Sequence, residues 1–173
     1  MKKIILSFVI LIIVLFVSSL VIGISKKLQN QKLVEEKIAK LPAFSFLTLD
    51  KRIYNSIDTK NGPVLIVHFH PECEHCQYEI SELLKSKIPI LFSTVFLVSS
   101  AHPDSIKSFL SNFNLKNYSS VIPLLDTSYK FEEIFGSGII PSTYIYSGNL
   151  NLVKVLHGEV KTETIIKYLQ ECE

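Results

Sequence analysis

Cys73 and Cys76 stand three residues apart and enclose Glu74 and His75 in the run H-P-E-C-E-H-C. A dithiol at this spacing can close to a disulfide and reopen, and so exchange disulfides with another chain. With two more ligands it would instead be half of a zinc site. Its setting favours exchange. Val64-Leu65-Ile66-Val67-His68-Phe69, opened by Gly62-Pro63, is a nearly continuous apolar run and reads as a strand buried on both faces. Beyond the pair, Cys76, Ile80, Leu83, Leu84 and Ile88 recur at helical spacing. The cysteines therefore fall where a strand hands over to a helix. Free backbone N–H groups and the positive end of the helix dipole favour a thiolate there. A protonated His75 adds positive charge and Glu74 opposes it, so the preference is moderated. Cys73, nearer the exposed end, is the expected nucleophile. Cys76, one turn further in, is the expected resolving thiol.

The zinc alternative needs ligands that the pattern does not bring together. His68 and His70 share one face of a strand, away from the cysteines. His68 is expected as a hydrogen-bonded core histidine and His70 as a residue lining the site's mouth. No metal or cofactor is expected. The alternative function is a metal-handling or partner-binding module, which metal content after mild purification would separate from an exchange enzyme. A thiol peroxidase would need P-x-x-x-[ST]-x-x-C, and His70 stands three before Cys73. Three cysteines are too few for a disulfide scaffold, and Cys172 is expected to be an idle exposed thiol.

Other segments must position this pair. Ile4–Ile24 is a run of 21 residues without a charge. At 1.5 Å per helical residue it reaches about 30 Å, the hydrocarbon thickness of a bilayer. Residues 1–24 read as a transmembrane anchor or a cleaved signal peptide; the run exceeds the usual signal core, which favours the anchor. Residues 25–40 read as a polar, partly helical stalk ended by Pro42, and 41–173 as one domain. The formal charge of +2 is uneven: residues 1–40 hold seven Lys and two Glu, and the remainder eleven Lys+Arg against fourteen Asp+Glu. The domain thus has no basic balance suited to nucleic acid. The lysines after the apolar run favour a cytoplasmic domain by the positive-inside rule, whereas the Met1-Lys2-Lys3 start resembles export signals.

Within the domain, Phe44–Leu49 and Arg52–Ile57 suggest a hairpin around Asp50-Lys51. Ile90–Val98 is a second buried strand, which completes a βαβ unit with a right-handed crossover. Pro103–Phe113 reads as a helix, Val121–Leu125 as a strand and Tyr129–Phe135 as a short helix. Ser142–Tyr146 and Leu150–Leu156 read as strands joined at Ser147-Gly148-Asn149, and Lys161–Gln170 as a closing helix. The count is an α/β fold with a mixed sheet and helices on both faces.

These features together resemble the thioredoxin superfamily, and within it the TlpA/ResA-like membrane-anchored extracytoplasmic reductases. The match covers about Leu41 to Gln170. It rests on the hairpin around F-S-F-L-T-L-D, the strand–C-x-x-C–helix unit, Gly138-Ile139-Ile140-Pro141-Ser142-Thr143-Tyr144, and His157-Gly158-Glu159-Val160. The resemblance implies that Pro141 is cis and that Ile140 offers backbone groups to a substrate chain. It also implies that Glu79 is the acidic residue the family often carries three positions after its second cysteine. A thioredoxin-like monomer is expected, exchanging disulfides with exported protein substrates and served by an unidentified membrane electron donor or acceptor; the resemblance favours a reductase, while a histidine beside Cys76 also suits an oxidant. The chain departs from the pattern where Glu72 replaces the usual Trp, Glu74-His75 a proline-containing pair, and Ser81 a helix-kinking proline. His68 falls near thioredoxin's buried acid once a one-residue gap is allowed.

Overall fold

The structure is a computed structural model. It describes residues 2–59, 62–86, 93–113, 115 and 118–171, and not the side chains of residues 2–11, 14, 27 and 31. Cys172, Ile88 and residues 90–92 of the expected second strand lie outside the described residues. The chain divides into two compact units, Met1–Lys37 and Ile38–Glu173.

The first unit is helical, within α1 (Lys2–Ile38). Leu, Gln, Lys and Glu residues are good helix formers, and the helix covers the stalk as far as Ile38. It stops short of Pro42, whose ring disfavours helical backbone at the residue before it. The expected span Ile4–Ile24 falls partly outside the described side chains. Among the described residues, no helix is long and apolar enough to cross a membrane.

The second unit begins at Ile38, three residues before the expected Leu41. Ile38 is buried, and the backbone behind it is tied down, with Leu41 N–H donating to Leu150 C=O and Leu152 N–H to Ala39 C=O, both at 2.8 Å. The elements that follow are β1 (Ser45–Thr48), β2 (Ile53–Asn55), β3 (Val64–His68), α2 (Glu74–Ser86), β4 (Thr94–Ser99) and α3 (Pro103–Ser111). After them come β5 (Val121–Leu125), α4 (Phe131–Phe135), β6 (Ser142–Tyr146), β7 (Leu152–His157) and α5 (Thr162–Gln170). The strands form one mixed sheet in the order β2-β1-β5-β4-β3-β6-β7. β1 and β2 pair antiparallel, with Phe46 opposite Tyr54.

Sheet order dictates where the helices lie. β3, β4 and β5 are parallel, and both crossovers step the same way along the sheet. Right-handed connections then put α2 and α3 on one face. Ile80 and Leu83 of α2, Ile106 and Leu110 of α3, and Ile165 of α5 accordingly share a core with Leu65 and Val67 of β3. The path from β5 to β6 steps back across β4 and β3, which sends α4 to the opposite face. There Phe131 and Phe135 stack at 4.5 Å, and Phe135 meets Phe44 and Tyr144. All five residues of β3 are buried, as expected for a strand covered on both faces and flanked on both edges.

Several boundaries differ from the sequence reading: β2 stops at Asn55, where Ser56–Asp58 form a short 3-10 helix, and two others have reasons in single residues. Leu150 takes a φ of 62° and belongs to the β6–β7 turn, so β7 starts at Leu152. Tyr129 takes a φ of 55°, and α4 starts at Phe131 because the Asp126 carboxylate accepts from the N–H groups of Lys130 and Phe131.

Candidate active site

Cys73 occupies the residue before α2, where its sulfur caps the helix. Cys76 N–H donates to Cys73 Sγ at 3.4 Å, and Gln77 N–H donates to Cys73 C=O at 2.9 Å as the first helical bond. Sulfur thus takes the place of the usual side-chain oxygen on an orphan N–H of the first turn. The approach is fixed by a tight turn through Pro71-Glu72, in which Cys73 N–H donates to His70 C=O at 3.1 Å and Glu72 N–H to His70 Nδ1 at 3.3 Å.

The two thiols are free and unequal. Cys73 is half-buried, whereas Cys76 is 0 % exposed and belongs to the core beneath α2. Burial pushes the Cys76 thiol up to about 12. The neighbouring Cys73 and the Glu79 carboxylate push the same way, and a backbone hydrogen bond from His70 opposes them. Cys76 is therefore protonated across the neutral range.

One turn below Cys76, Glu79 is 1 % exposed. Its two carboxylate oxygens hold separate segments: Oε1 accepts from Thr143 Oγ1 at 2.6 Å, and Oε2 from Val160 N–H at 2.9 Å. Burial raises its affinity for a proton, and these hydrogen bonds to the charged form oppose the rise. Thr143 lies in β6 two residues after Pro141, so Glu79 joins α2 to the segment carrying the Ile140–Pro141 bond. That bond is cis. Ile139 C=O is taken by Ser142 Oγ and Pro141 C=O by Gly158 N–H, at 2.7 and 2.9 Å. Ile140 is 38 % exposed, and its backbone groups have no hydrogen-bond partner among the described residues.

The histidines do not converge. His75 Nδ1 lies 2.6 Å from Glu159 Oε2, and His70 is held by the turn. His68 is buried and stacks on Phe131 at a ring separation of 4.0 Å. Burial pushes it down to about 4, against the pull of Asp126 and a hydrogen bond to the Ile139 backbone, so it stays neutral. Its Nδ1 has no partner among the described residues. Among those residues, no group of three or more His, Cys, Asp or Glu is placed to hold a metal ion. A groove of about 770 Å³ between α2 and α3 includes Pro71, Glu72, Phe109 and Phe113 in its walls but neither cysteine. Glu159 is the site residue that the sequence does not reveal, because its partner lies 84 positions away.

No family model and no curated protein matches the sequence. Solved structures do match the fold. MTB DsbF, in its mixed oxidized and reduced forms, superposes with a TM-score of 0.66 at 17% identity, covering 79% of this chain and 97% of that one. A secreted Mycobacterium tuberculosis disulfide oxidoreductase homologous to E. coli DsbE gives 0.65 at 15% identity, covering 79% and 98%. The exposed lipoprotein thioredoxin Etrx1 from Streptococcus pneumoniae strain TIGR4 gives 0.61 at 20% identity, covering 75% and 98%. At such identities the likeness speaks for the fold, and with the sheet order and the helix-capping dithiol it gives one conclusion: the domain of this chain is thioredoxin-like.

Proposed function

We propose that the chain is a membrane-anchored thiol–disulfide oxidoreductase acting on extracytoplasmic proteins, with Cys73 and Cys76 as its redox-active pair. The observation that carries this reading is the inequality of the two thiols, one capping α2 at the surface and the other fully buried behind it. In the reducing direction, the Cys73 thiolate attacks one sulfur of a substrate disulfide. A mixed disulfide forms and the other substrate sulfur leaves as a thiolate. Cys76 then loses its proton and attacks Cys73 Sγ, the second substrate sulfur leaves, and the Cys73–Cys76 disulfide remains. Two electrons have passed to the substrate, and a dithiol donor at the membrane must return them.

His75, Glu74 and Glu79 tune the pair. Glu79 is the carboxylate whose charge reaches Cys76, and Glu74 and His75 sit in the first turn beside Cys73. Ile140 and Pro141 receive the substrate chain; the exposure of Ile140 and its unpaired backbone support this. No cofactor is required, and the domain works as a monomer. Reduction is favoured over oxidation on the resemblance to the TlpA/ResA-like reductases. The metal-handling alternative loses ground because the His70 ring accepts from Glu72 N–H and the His75 ring meets Glu159. Ile4–Ile24 serves as the uncleaved anchor, by its length and lack of charge. An outward-facing domain agrees with the secreted and exposed character of two of the structural relatives.

Cys76→Ser tests the assignment. Removing the resolving thiol should leave mixed disulfides through Cys73, seen as high-mass adducts on gels run without reductant. They should vanish when Cys73 is also replaced. Adducts that persist in the double variant would assign the chemistry to Cys172 and overturn the reading.

A further inference from the structure

Three consecutive residues between β7 and α5 each hold a different part of the site. Gly158 N–H donates to Pro141 C=O at 2.9 Å. Glu159 Oε2 lies 2.6 Å from His75 Nδ1, and Val160 N–H donates to Glu79 Oε2 at 2.9 Å. His75 and Glu79 are four residues apart on α2 and so share one face of the helix. The first turns of α2 are thus fixed at two points to a loop that also holds the cis-proline segment. Two of the three ties use the loop's backbone, which no side-chain change removes. The third uses a charged side chain.

We infer that Glu159 is a positioning residue of the redox pair, which fixes the His75 ring to the β7–α5 loop and offsets the positive charge that a protonated His75 presents to the cysteines. This rests on the exchange reaction proposed above. Charge counting gives the sign. With His75 protonated, the His75–Glu159 pair is neutral, and with His75 neutral it carries one negative charge. In either state, loss of the Glu159 charge leaves the mouth of α2 one unit more positive. A more positive environment stabilises the thiolate and therefore the reduced form, so the pair becomes more oxidising. Loss of a protonated His75 leaves the Glu159 carboxylate unbalanced and moves the potential the other way. A loop that acted only as a mechanical brace would shift both variants in the same direction.

The side chains of His75 and Glu159 are 73 % and 36 % exposed, so water screens the effect. At this exposure each shift is expected to be about threefold in the equilibrium constant. Threefold corresponds to ~14 mV for a two-electron couple.

The test equilibrates the full chain, in detergent and with Cys172 replaced by Ser, against glutathione buffers. The reaction followed is protein disulfide plus two glutathione thiols giving protein dithiol plus glutathione disulfide. E159Q should favour the dithiol about threefold and H75A should disfavour it. Glu159→Asp, which keeps the charge, should stay close to the unaltered protein. No shift in E159Q, a shift of the same sign in E159Q and H75A, or a Glu159→Asp shift as large as that of E159Q would each overturn the inference. A protein with no reversible glutathione couple would instead overturn the exchange reaction itself, and the inference with it.

Discussion

Cys76 supplies the sharpest quantitative expectation, because its ionisation is displaced in a known direction for a visible cause. Its thiol is pushed from 9.0 to about 12, chiefly by burial. At pH 7 a thiol titrating at 9.0 is thiolate in about one molecule in 100, and one titrating near 12 in about one in 10⁵. Since only the thiolate is alkylated, the shift alone should slow Cys76 about 1000-fold, before any hindrance from the surrounding core is counted. In a Cys172→Ser background, iodoacetamide at neutral pH should therefore mark Cys73 and leave Cys76 untouched on the same timescale. Peptide mass mapping reads the ratio directly. The same shift has a thermodynamic face. A thiol raised by folding contributes stability that is complete below pH 9 and is lost as pH climbs toward 12. Over three units this loss amounts to ~4 kcal/mol, so Cys76→Ala should flatten the alkaline fall in stability relative to the unaltered chain. Comparable alkylation of the two cysteines at neutral pH would refute the argument that burial at the first turn of α2 separates their roles.

Two further expectations follow from named groups. Glu79 has a raised proton affinity, so its contribution to stability is complete below its ordinary 4.5 and is lost as pH rises through its folded value. Glu79→Gln should consequently gain on the unaltered protein in urea unfolding as pH rises from 4 to 7; a gap that does not change with pH would show that its two hydrogen bonds fully offset its burial, and a gap that moves the other way that they outweigh it. For topology, protease added to spheroplasts should digest residues 41–173 while the inner membrane stays intact. Protection until lysis would place the domain inside, and release of a soluble domain beginning near Ile24 would show cleavage.

The parts of this molecule that could be read from sequence are those whose determinants are local. The apolar run of β3 and the 3–4 spacing of Ile80, Leu83 and Leu84 are short-range patterns, and they place Cys73 at a helix mouth without any knowledge of the sheet. The start of the compact unit was not legible in the same way. Ala39 and Leu41 join it through backbone hydrogen bonds to the β6–β7 turn and β7, and backbone bonds leave no signature in side-chain type. The reach of the stalk helix is not local information either, because Pro42 marks only where a helix must have stopped and says nothing of how far back it runs. Glu159 was hidden for a third reason. His75 and Glu79 both stood out, and their i,i+4 spacing already implied a shared face, but the loop meeting that face is chosen by the order of β3, β6 and β7.

The placement of charge around the pair follows from what each position can tolerate. A carboxylate at the buried level must be satisfied by hydrogen bonds, and Glu79 has them on both oxygens, from β6 and from the β7–α5 loop. Its interaction with the buried Cys76 thiol is poorly screened and favours the protonated form of that thiol. At the rim, His75 and Glu159 are reached by water, and their effect on Cys73 is small and adjustable. In the proposed reaction the order of attack follows burial, which single surface changes do not move. The proposed rim pair would set the driving force, since a substitution there leaves the core undisturbed. In the proposed reaction, a change at Glu74-His75 between the cysteines can therefore alter the potential while Cys73 and Cys76 stay in place.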